Sequence, residues 1–369
     1  MNGDQKRISY LPTNGLTYDP SDKKYWDETA LDKEIERTFE ICHGCRMCFK
    51  YCDSFPTLFN FLDNKYDGEV KKITSKDTKK IMDACFQCKL CEVQCPYTIR
   101  EGHEFKLDFP KLVHRHKAIH SKDKKKSLRD NFLGNPDKSA FLARASFGIA
   151  NLMNRISIPR WILEKLLGIH RKKLLPDFKF LTFEKFAEKN DLIRENKEAE
   201  TVLFQTCYVQ HNEPQIGKDT IEVLEKNKID CACVSGLKCC GMPAWEQGDL
   251  DTLRANAKNN LDILIPFVEK GSIVLPINPT CAMMMRREYQ ELLEGEDRER
   301  AYKLAGAIND PSEYLWSIRN EDRFNTNVKN LNETISYHAP CHLRAQGVGF
   351  KGRDLIKKVT GSNVKTIME

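Results

Sequence analysis

The pattern of apolar and polar positions divides the chain into a helical first part and a second part in which strands and helices alternate. Apolar residues at helical spacing define five segments before residue 196: 27–41, 57–62, 77–84, 141–153 and 159–168. In the first segment, Leu31, Ile35 and Phe39 fall on one face of the predicted helix. The last two segments are predicted to be amphipathic helices with basic rims, and the last of them opens at Pro159 and closes at Gly168.

After residue 200 the periodicity of the apolar residues changes from that of helices alone to that of alternating strands and helices. Short apolar runs predict four strands, at 201–206, 229–234, 272–277 and 334–337. Helical patterns lie among them at 219–226, 250–269 and 282–293. Strands that alternate with helices indicate a parallel sheet with right-handed crossovers. No G-x-G-x-x-G follows any of these strands, so the pattern does not favour a nucleotide site.

The net charge of +6 is unevenly spread over the 369 residues. Between Arg100 and Lys173 there are 18 Lys and Arg against 7 Asp and Glu, so the rest of the chain is mildly acidic. No run reaches the roughly 20 apolar residues that span a bilayer, and the N-terminus has no apolar signal region. These features predict a cytoplasmic protein, with peripheral contact at the inner face of the membrane through the basic stretch as one alternative. No nucleic-acid partner is expected.

The 15 cysteines are the strongest chemical signal. Because a cytoplasmic compartment keeps thiols reduced, metal binding or redox chemistry is a better interpretation than a disulfide framework. Two runs have the spacing C-x2-C-x2-C-x3-C, and we call them the first and second ladders: Cys42, Cys45, Cys48 and Cys52, then Cys85, Cys88, Cys91 and Cys95. The second ends in Cys-Pro, as in bacterial ferredoxins.

Three cysteines at this pitch wrap a loop around one cubane, and the fourth ligates the other cluster in two-cluster ferredoxins. We therefore predict two [4Fe-4S] clusters on two groups of ligands. The first group is Cys42, Cys45, Cys48 and Cys95, and the second group is Cys85, Cys88, Cys91 and Cys52. Structural zinc uses pairs of C-x2-C and gives no reason for a third cysteine in each ladder. His43 is interpreted as a solvated loop histidine.

Five further cysteines follow predicted strands: Cys207, Cys239, Cys240, Cys281 and Cys341. Ligands in open α/β sheets gather at the carboxyl ends of strands, so these thiols are expected to converge on one face. We call the first four of them the thiol quartet and predict that its sulfurs share one metal centre, with Cys341 nearby. Cys231 and Cys233 lie inside the second predicted strand and are interpreted as small core residues.

The Cys239-Cys240-Gly241 sequence, with Cys207 before it and Cys281 after it, resembles the cysteine-rich CCG module of heterodisulfide reductase-related iron–sulfur proteins. The order of ferredoxin part, connector and CCG module is similar to that in the family of the iron–sulfur subunit of anaerobic glycerol-3-phosphate dehydrogenase. Asn278-Pro-Thr-Cys281 and Pro340-Cys-His-Leu-Arg-Ala-Gln346 support that similarity. The resemblance implies that the clusters relay electrons and that the CCG half adjoins a quinone or a disulfide-type acceptor.

Two departures from the reference pattern affect the quartet. Met284 stands where the family pattern places a second cysteine after Cys281, which puts in doubt the five-cysteine cluster that the resemblance implies. A four-thiolate site remains open, holding a third iron–sulfur cluster or zinc. Cys341 starts a second CCG unit that the chain does not complete, so the sequence is expected to be a fragment or to carry an unfinished site.

These inferences give a fold of α plus α/β class with five regions: an N-terminal leader and helix (1–36), an all-helical two-cluster ferredoxin domain (37–117), a basic helical connector (118–196), a first parallel-sheet CCG unit (197–333) and a truncated second CCG unit (334–369). The expected function is electron transfer from a flavoprotein dehydrogenase partner through two clusters toward a quinone or similar acceptor. The alternative is a heterodisulfide reductase-like catalytic subunit that reduces a disulfide at the quartet.

Overall fold

The computed structural model describes residues 8–122, 126–329 and 333–367. Its first part is helical, as predicted, and contains two short 3-10 helices, Lys23–Trp26 and Val70–Lys72. They accompany five α-helices: α1 (Glu28–Cys45), α2 (Ser54–Lys65), α3 (Ser75–Asp83), α4 (Leu90–Gln94) and α5 (Phe109–Ser121). Asp27 begins α1 by accepting a hydrogen bond from the Ala30 amide.

The core of this helical part positions both ladders. Leu31, Ile35 and Phe39 on α1 are buried against Phe55 of α2 and Val113 of α5, which confirms the predicted apolar face. Five ladder cysteines pack against the same core or belong to it: Cys42, Cys48, Cys52, Cys85 and Cys91. The ladders are therefore carried on the ends of tightly packed helices.

The connector is divided into more and shorter helices than predicted. It contains α6 (Leu128–Gly134), α7 (Pro136–Ala145), α8 (Ile149–Met153), α9 (Ser157–Leu167) and α10 (Phe183–Lys189). The single helix predicted at 141–153 was wrong, because Phe147 and Gly148 both adopt left-handed backbone conformations and separate α7 from α8. Gly148 has a φ of 92°, which glycine adopts without strain. Helix α9 begins two residues before Pro159 and ends at the left-handed Gly168. Within the described ranges, no helix is both long enough and apolar enough to cross a membrane.

The second part contains a three-stranded parallel sheet of order β2-β1-β3, formed by β1 (Thr201–Phe204), β2 (Cys231–Ala232) and β3 (Ile273–Pro276). Side chains alternate across it: Val202 and Phe204 join one buried cluster, and Leu203 joins another. Helices cover both faces: α11 (Thr206–His211), α12 (Pro214–Lys226), α13 (Met242–Glu246), α14 (Leu250–Val268), α15 (Pro279–Met283), a π-helix (Met284–Glu288), α16 (Tyr289–Leu292), α17 (Gly295–Ala307) and α18 (Pro311–Ser317).

The fourth predicted strand does not join this sheet, and that expectation was wrong. Strand β4 (Thr334–His338) pairs in parallel with β5 (Asn363–Ile367) in a separate two-stranded sheet, with α19 (Cys341–Ala345) and α20 (Lys351–Thr360) between them. The order strand, short helix, longer helix, strand repeats that of β1, α11, α12 and β2. Cys207 and Cys341 lie at the start of α11 and α19, so they occupy equivalent places in the two repeats.

The helical part packs directly on the second part. Gly248 has a φ of 77°, and a Cβ there would lie 2.5 Å from the Ala118 amide nitrogen of α5. The Ser121 hydroxyl donates a hydrogen bond to the Gly248 carbonyl across the same contact, at 2.9 Å. Tyr25 and Ala118 of the helical part also belong to the buried cluster that contains Val202. Glycine at position 248 therefore permits the close approach.

Candidate metal centres

Both ladders bend at the same position. Arg46 follows Cys45 and Lys89 follows Cys88, the second cysteine of each ladder, and both residues are left-handed, with φ of 55° and 60°. The Arg46 amide donates to the Cys42 carbonyl at 2.9 Å, which ends α1. A non-glycine residue pays about 1–2 kcal/mol for this conformation. The shared bend turns three successive cysteines of each ladder toward one point.

The first group lines a single cavity. Cys42, Cys45 and Cys48 of the first ladder face it together with Cys95 of the second ladder, and Cys52 is not among its lining residues. Apolar side chains form much of the rest of the wall, including Phe55, Phe59 and Leu107. Burial raises the pKa of the Cys42 thiol well above its usual range, and the neighbouring Cys48, Cys95 and Cys45 raise it further. The structure therefore brings these four thiols together across the two ladders.

The second group is gathered on the other side of Cys48. Burial raises the pKa of Cys85 to about 12, with a further contribution from the nearby Cys52 and Cys88. The Gln87 amide donates to the Cys85 sulfur at 3.4 Å. Cys91 is fully buried in the same neighbourhood, and its carbonyl lies 4.0 Å from the Cys48 sulfur of the first group. The two groups are thus adjacent.

The chemistry of these donors fits iron–sulfur clusters. Burial raises the pKa of six of these thiols, and binding a metal cluster displaces their protons: Cys42, Cys48, Cys85, Cys88, Cys91 and Cys95. Four neighbouring thiolates need a cationic core to offset their repulsion, and soft thiolate sets select iron–sulfur clusters or zinc. The first and second groups are the residues that would hold the two clusters.

His43 lies on α1 rather than in a loop, so that part of its interpretation was wrong. Its Nε2 is 2.9 Å from the Asp63 carboxylate, which also accepts from Arg46. The side chain does not line the cavity of the first group. His43 and Arg46 together tie the end of α1 to Asp63 of α2.

The thiol quartet forms a chain of contacts in the second part. Cys207 is hydrogen-bonded to Cys239, Cys239 to Cys240, and Cys240 to Cys281. These contacts and burial raise the pKa of the Cys207 thiol well above its usual range. Cys281 is also in electrostatic contact with Cys207 and Cys239, so the four thiols lie close together. Among the described residues, no three His, Cys, Asp or Glu side chains are arranged to hold a single ion.

The quartet is enclosed by three neighbouring elements. The Asp137 carboxylate of the connector accepts from the Cys239 amide at 2.9 Å, and it also lies 2.9 Å from His211. The Tyr289 hydroxyl donates to the Cys240 carbonyl at 2.9 Å. Met284 is fully buried in the apolar core at the start of the π-helix. The connector therefore helps to close the quartet from solvent.

Cys341 is in electrostatic contact with Cys88 of the second group, where it contributes to the raised pKa of that thiol after the larger effect of burial. Cys341 is carried by α19, the helix that follows β4 of the two-stranded sheet. This helix packs between α4 and α15. Cys233 is buried in the core on the opposite face of the three-stranded sheet, and Cys231 packs against that core.

Three candidate functional residues were not identified from the sequence. Lys89, Glu288 and His342 connect the second ladder to the second part of the chain through buried or half-buried contacts. Lys89 could have been noticed as a charged residue inside a ladder, and His342 as the neighbour of Cys341. Their partners are far away in the sequence, so no local spacing identifies the contacts.

Comparison with known proteins agrees with this geometry. A family model for a 4Fe-4S dicluster domain matches residues 38–99, and one for a cysteine-rich (CCG) domain matches residues 201–286. The chain is 28% identical over 236 residues to an anaerobic glycerol-3-phosphate dehydrogenase subunit of Escherichia coli (strain K12), which covers 64% of this chain and 58% of that protein. It is 26% identical over 168 residues to lactate utilization protein A 2 of Bacillus cereus (strain AH820), covering 45% of this chain and 66% of that protein. No solved structure matches significantly.

The chain is therefore an iron–sulfur protein that combines a 4Fe-4S dicluster domain with a cysteine-rich CCG domain. It is homologous to a subunit of anaerobic glycerol-3-phosphate dehydrogenase and to lactate utilization protein A. It spans less than two thirds of the length of these relatives.

Proposed function

We propose that this protein is an electron-transfer subunit that relays electrons from a flavoprotein dehydrogenase partner, through two [4Fe-4S] clusters, toward a quinone or similar acceptor. The observation that carries the proposal is that Cys95 lines a cavity together with the first three cysteines of the first ladder, whereas Cys52 lies near Cys85 of the second ladder. Adjacent clusters are the arrangement that a relay needs. Two of the relatives, a dehydrogenase subunit and a lactate utilization protein, support this class of function.

Each cluster would supply one-electron chemistry, and the chain's own part is to hold it, limit its contact with water and set its potential. The apolar wall beside the first group excludes water from one side. The Gln87 amide supplies a hydrogen bond to sulfur in the second group. We further propose that the thiol quartet holds a third iron–sulfur centre, since its four contacting thiols are a soft donor set like those of the ladders.

A second candidate function is reduction of a disulfide at the quartet, as in heterodisulfide reductases. The contact between Cys207, Cys239, Cys240 and Cys281 favours it, because a substrate thiol could bind where the four sulfurs meet. Met284, an apolar core residue at the place of a further cysteine, favours electron transfer instead.

Peripheral membrane contact is the third part of the proposal, with a location at the inner face of the membrane. Large apolar side chains are exposed along the connector, and we call them the connector surface: Phe141, Phe147, Ile149, Leu152, Ile158, Trp161, Leu166 and Leu174. Phe147 and Leu174 are 87% and 89% exposed. Lys165, Lys172 and Lys173 adjoin them along the chain. Basic helices with an exposed tryptophan can lie on anionic bilayers.

The basic stretch between Arg100 and Lys173 also contains Lys124, Lys125 and Lys126, which precede the connector surface in the chain. Lys124 and Lys125 lie outside the described residues. Lys126 is paired with Asp249 of the CCG part, so its charge is already engaged. The proposed membrane contact therefore depends on residues after 140.

The proposal is tested by anaerobic purification followed by iron, sulfide and zinc analysis and by EPR of the dithionite-reduced protein. We expect about eight irons from the two clusters, additional iron from the quartet, and two [4Fe-4S] signals. Eight irons without zinc would remove the third centre but keep the relay. One zinc in place of the extra iron would make the quartet structural. A chain with four or fewer irons would contradict the relay itself.

A further inference from the structure

Helix α19 lies at the junction of the two cysteine-rich parts. It packs against α4, which carries Cys91 of the second group, and against α15, which carries Cys281 of the quartet. Because one short helix touches both elements, it is a direct structural link between the two sites.

His342 on this helix contacts both sites. Its Nε2 is 2.9 Å from the Gln87 carbonyl, and its Nδ1 is 2.8 Å from the Thr280 hydroxyl. A carbonyl can only accept, so Nε2 carries the hydrogen and donates. Nδ1 then accepts from the Thr280 hydroxyl. One neutral tautomer therefore satisfies both contacts, and burial lowers the pKa of His342, which favours that neutral form.

The residues at the two ends of this bridge adjoin metal-site cysteines. Gln87 stands directly before Cys88, and its amide donates to the sulfur of Cys85. Thr280 stands directly before Cys281. The bridge therefore runs from the second group through Gln87, His342 and Thr280 to the quartet.

Within the part of the chain that the structure describes, the first group has no comparable link to the quartet. All residues that line its cavity belong to the segment between Ile41 and Leu107, so the second part of the chain contributes none of them. Met47 and Phe49, next to its cysteines, are exposed at 44% and 60%. The first group thus faces outward, whereas the second group faces the quartet.

We propose that the second group, rather than the first, exchanges electrons with the thiol quartet, and that His342 is the positioning residue that holds these two sites together. The inference rests on the proposed relay and gives it an order: flavoprotein partner, first group, second group, quartet. One electron would pass at a time, so that a cluster held by the second group is oxidised by one electron as an iron–sulfur centre held by the quartet is reduced by one. No bond or proton changes at His342.

Three variants separate the role of each contact. His342→Leu removes both hydrogen bonds, His342→Gln can replace them with an amide donor and acceptor, and Thr280→Val removes only the quartet-side bond while keeping the shape. The readouts are the EPR spectrum of each reduced cluster and the rate at which a flash-reduced second cluster transfers its electron to the quartet.

We expect His342→Leu to change the EPR signal of the second group, to leave that of the first group unaltered, and to slow the transfer about tenfold, as for lost outer-shell contacts at metal sites. His342→Gln should restore most of the rate. Thr280→Val should slow the transfer without changing the second-group signal. A His342→Leu protein with unaltered transfer, or with a changed first-group signal, would overturn the inference. So would a wild-type quartet that accepts no electron, and that outcome would leave the two-cluster relay intact.

Discussion

Lys89 of the second ladder and Glu288 of the π-helix form an ion pair in which both side chains are almost completely buried. The Lys89 ammonium also lies 5.4 Å from the centre of the Trp245 ring, which stacks on His114 at 4.7 Å. A positive charge between two ligands of the second group is therefore fixed by residues of the CCG part. The pair joins the two domains at the place where the relay is proposed to cross between them.

Replacing Lys89 with Met should destabilise the protein by about 3–5 kcal/mol, because it leaves the Glu288 charge buried without its main partner. The double variant Lys89→Met, Glu288→Met removes both charges and should recover most of that loss. The free energy of unfolding in urea, followed by tryptophan fluorescence, measures both. Equal stability of the single and double variants would show that the pair does not fix the interface.

How much of this arrangement could be predicted from the sequence depends on how far apart the contacting residues are along the chain. The ladders are local, and their spacing alone leads to the prediction that Cys95 and Cys52 exchange places; the cavity that Cys95 shares with the first ladder agrees with that prediction. The helical first part and the alternating second part were likewise predicted from periodicity. Helix α9 ends beside Gly168, as predicted, because a left-handed glycine is a local signal.

Contacts between distant segments were not predictable in this way. The pairing of β4 with β5 depends on a strand at 363–367 that the apolar pattern did not indicate. Cys341 was expected near the quartet because it follows a strand. Its strand belongs to a different sheet, and the sequence pattern did not indicate the contact of Cys341 with Cys88. The helix predicted at 141–153 is interrupted at Phe147 and Gly148, which have left-handed backbone conformations. The spacing of apolar residues gives no information about such conformations.

A buried histidine should make stability depend on pH. Burial lowers the pKa of His114 from 6.5 to about 3 in the folded protein, where its Nδ1 lies 3.3 Å from the Tyr25 hydroxyl. The charged neighbours Lys89 and Lys117 lower this pKa further, and Glu288 raises it. Between pH 6.5 and 3 the unfolded chain binds a proton that the folded protein does not, so stability falls as pH falls. The loss from this residue should be about 2 kcal/mol between about pH 7 and 5.

The slope of unfolding free energy against pH checks this expectation in the wild type and in His114→Phe, which keeps a ring on Trp245 but cannot protonate. The variant should lose the part of the slope that belongs to His114. His120→Gln, at a more exposed position of the same helix, serves as the control and should keep the slope. An unchanged slope in His114→Phe would contradict the assignment.

The connector surface should bind anionic vesicles. Ile158→Glu and Leu166→Glu each place a charge on an exposed apolar position of α9, at 70% and 74% exposure, and should abolish flotation with anionic lipid. Val223→Glu makes the same change at an exposed position of α12 and should have no effect.

Reversing the charges of Lys172 and Lys173 should weaken the vesicle binding and flatten its dependence on salt, because the charge attraction is screened at high ionic strength. Wild-type protein that fails to float with anionic vesicles at low salt would remove the proposed membrane contact. The electron relay would be unaffected by that result.

The exchange of cysteines between ladders is the basis of the relay, and EPR of two single variants tests it most directly. Cys95→Ser should alter the signal of the cluster on Cys42, Cys45 and Cys48, although Cys95 belongs to the second ladder. Cys52→Ser should alter the signal of the cluster on the second ladder instead. If each variant changes the cluster of its own ladder, the two groups are wrong and the adjacent arrangement that carries electrons through this protein is contradicted.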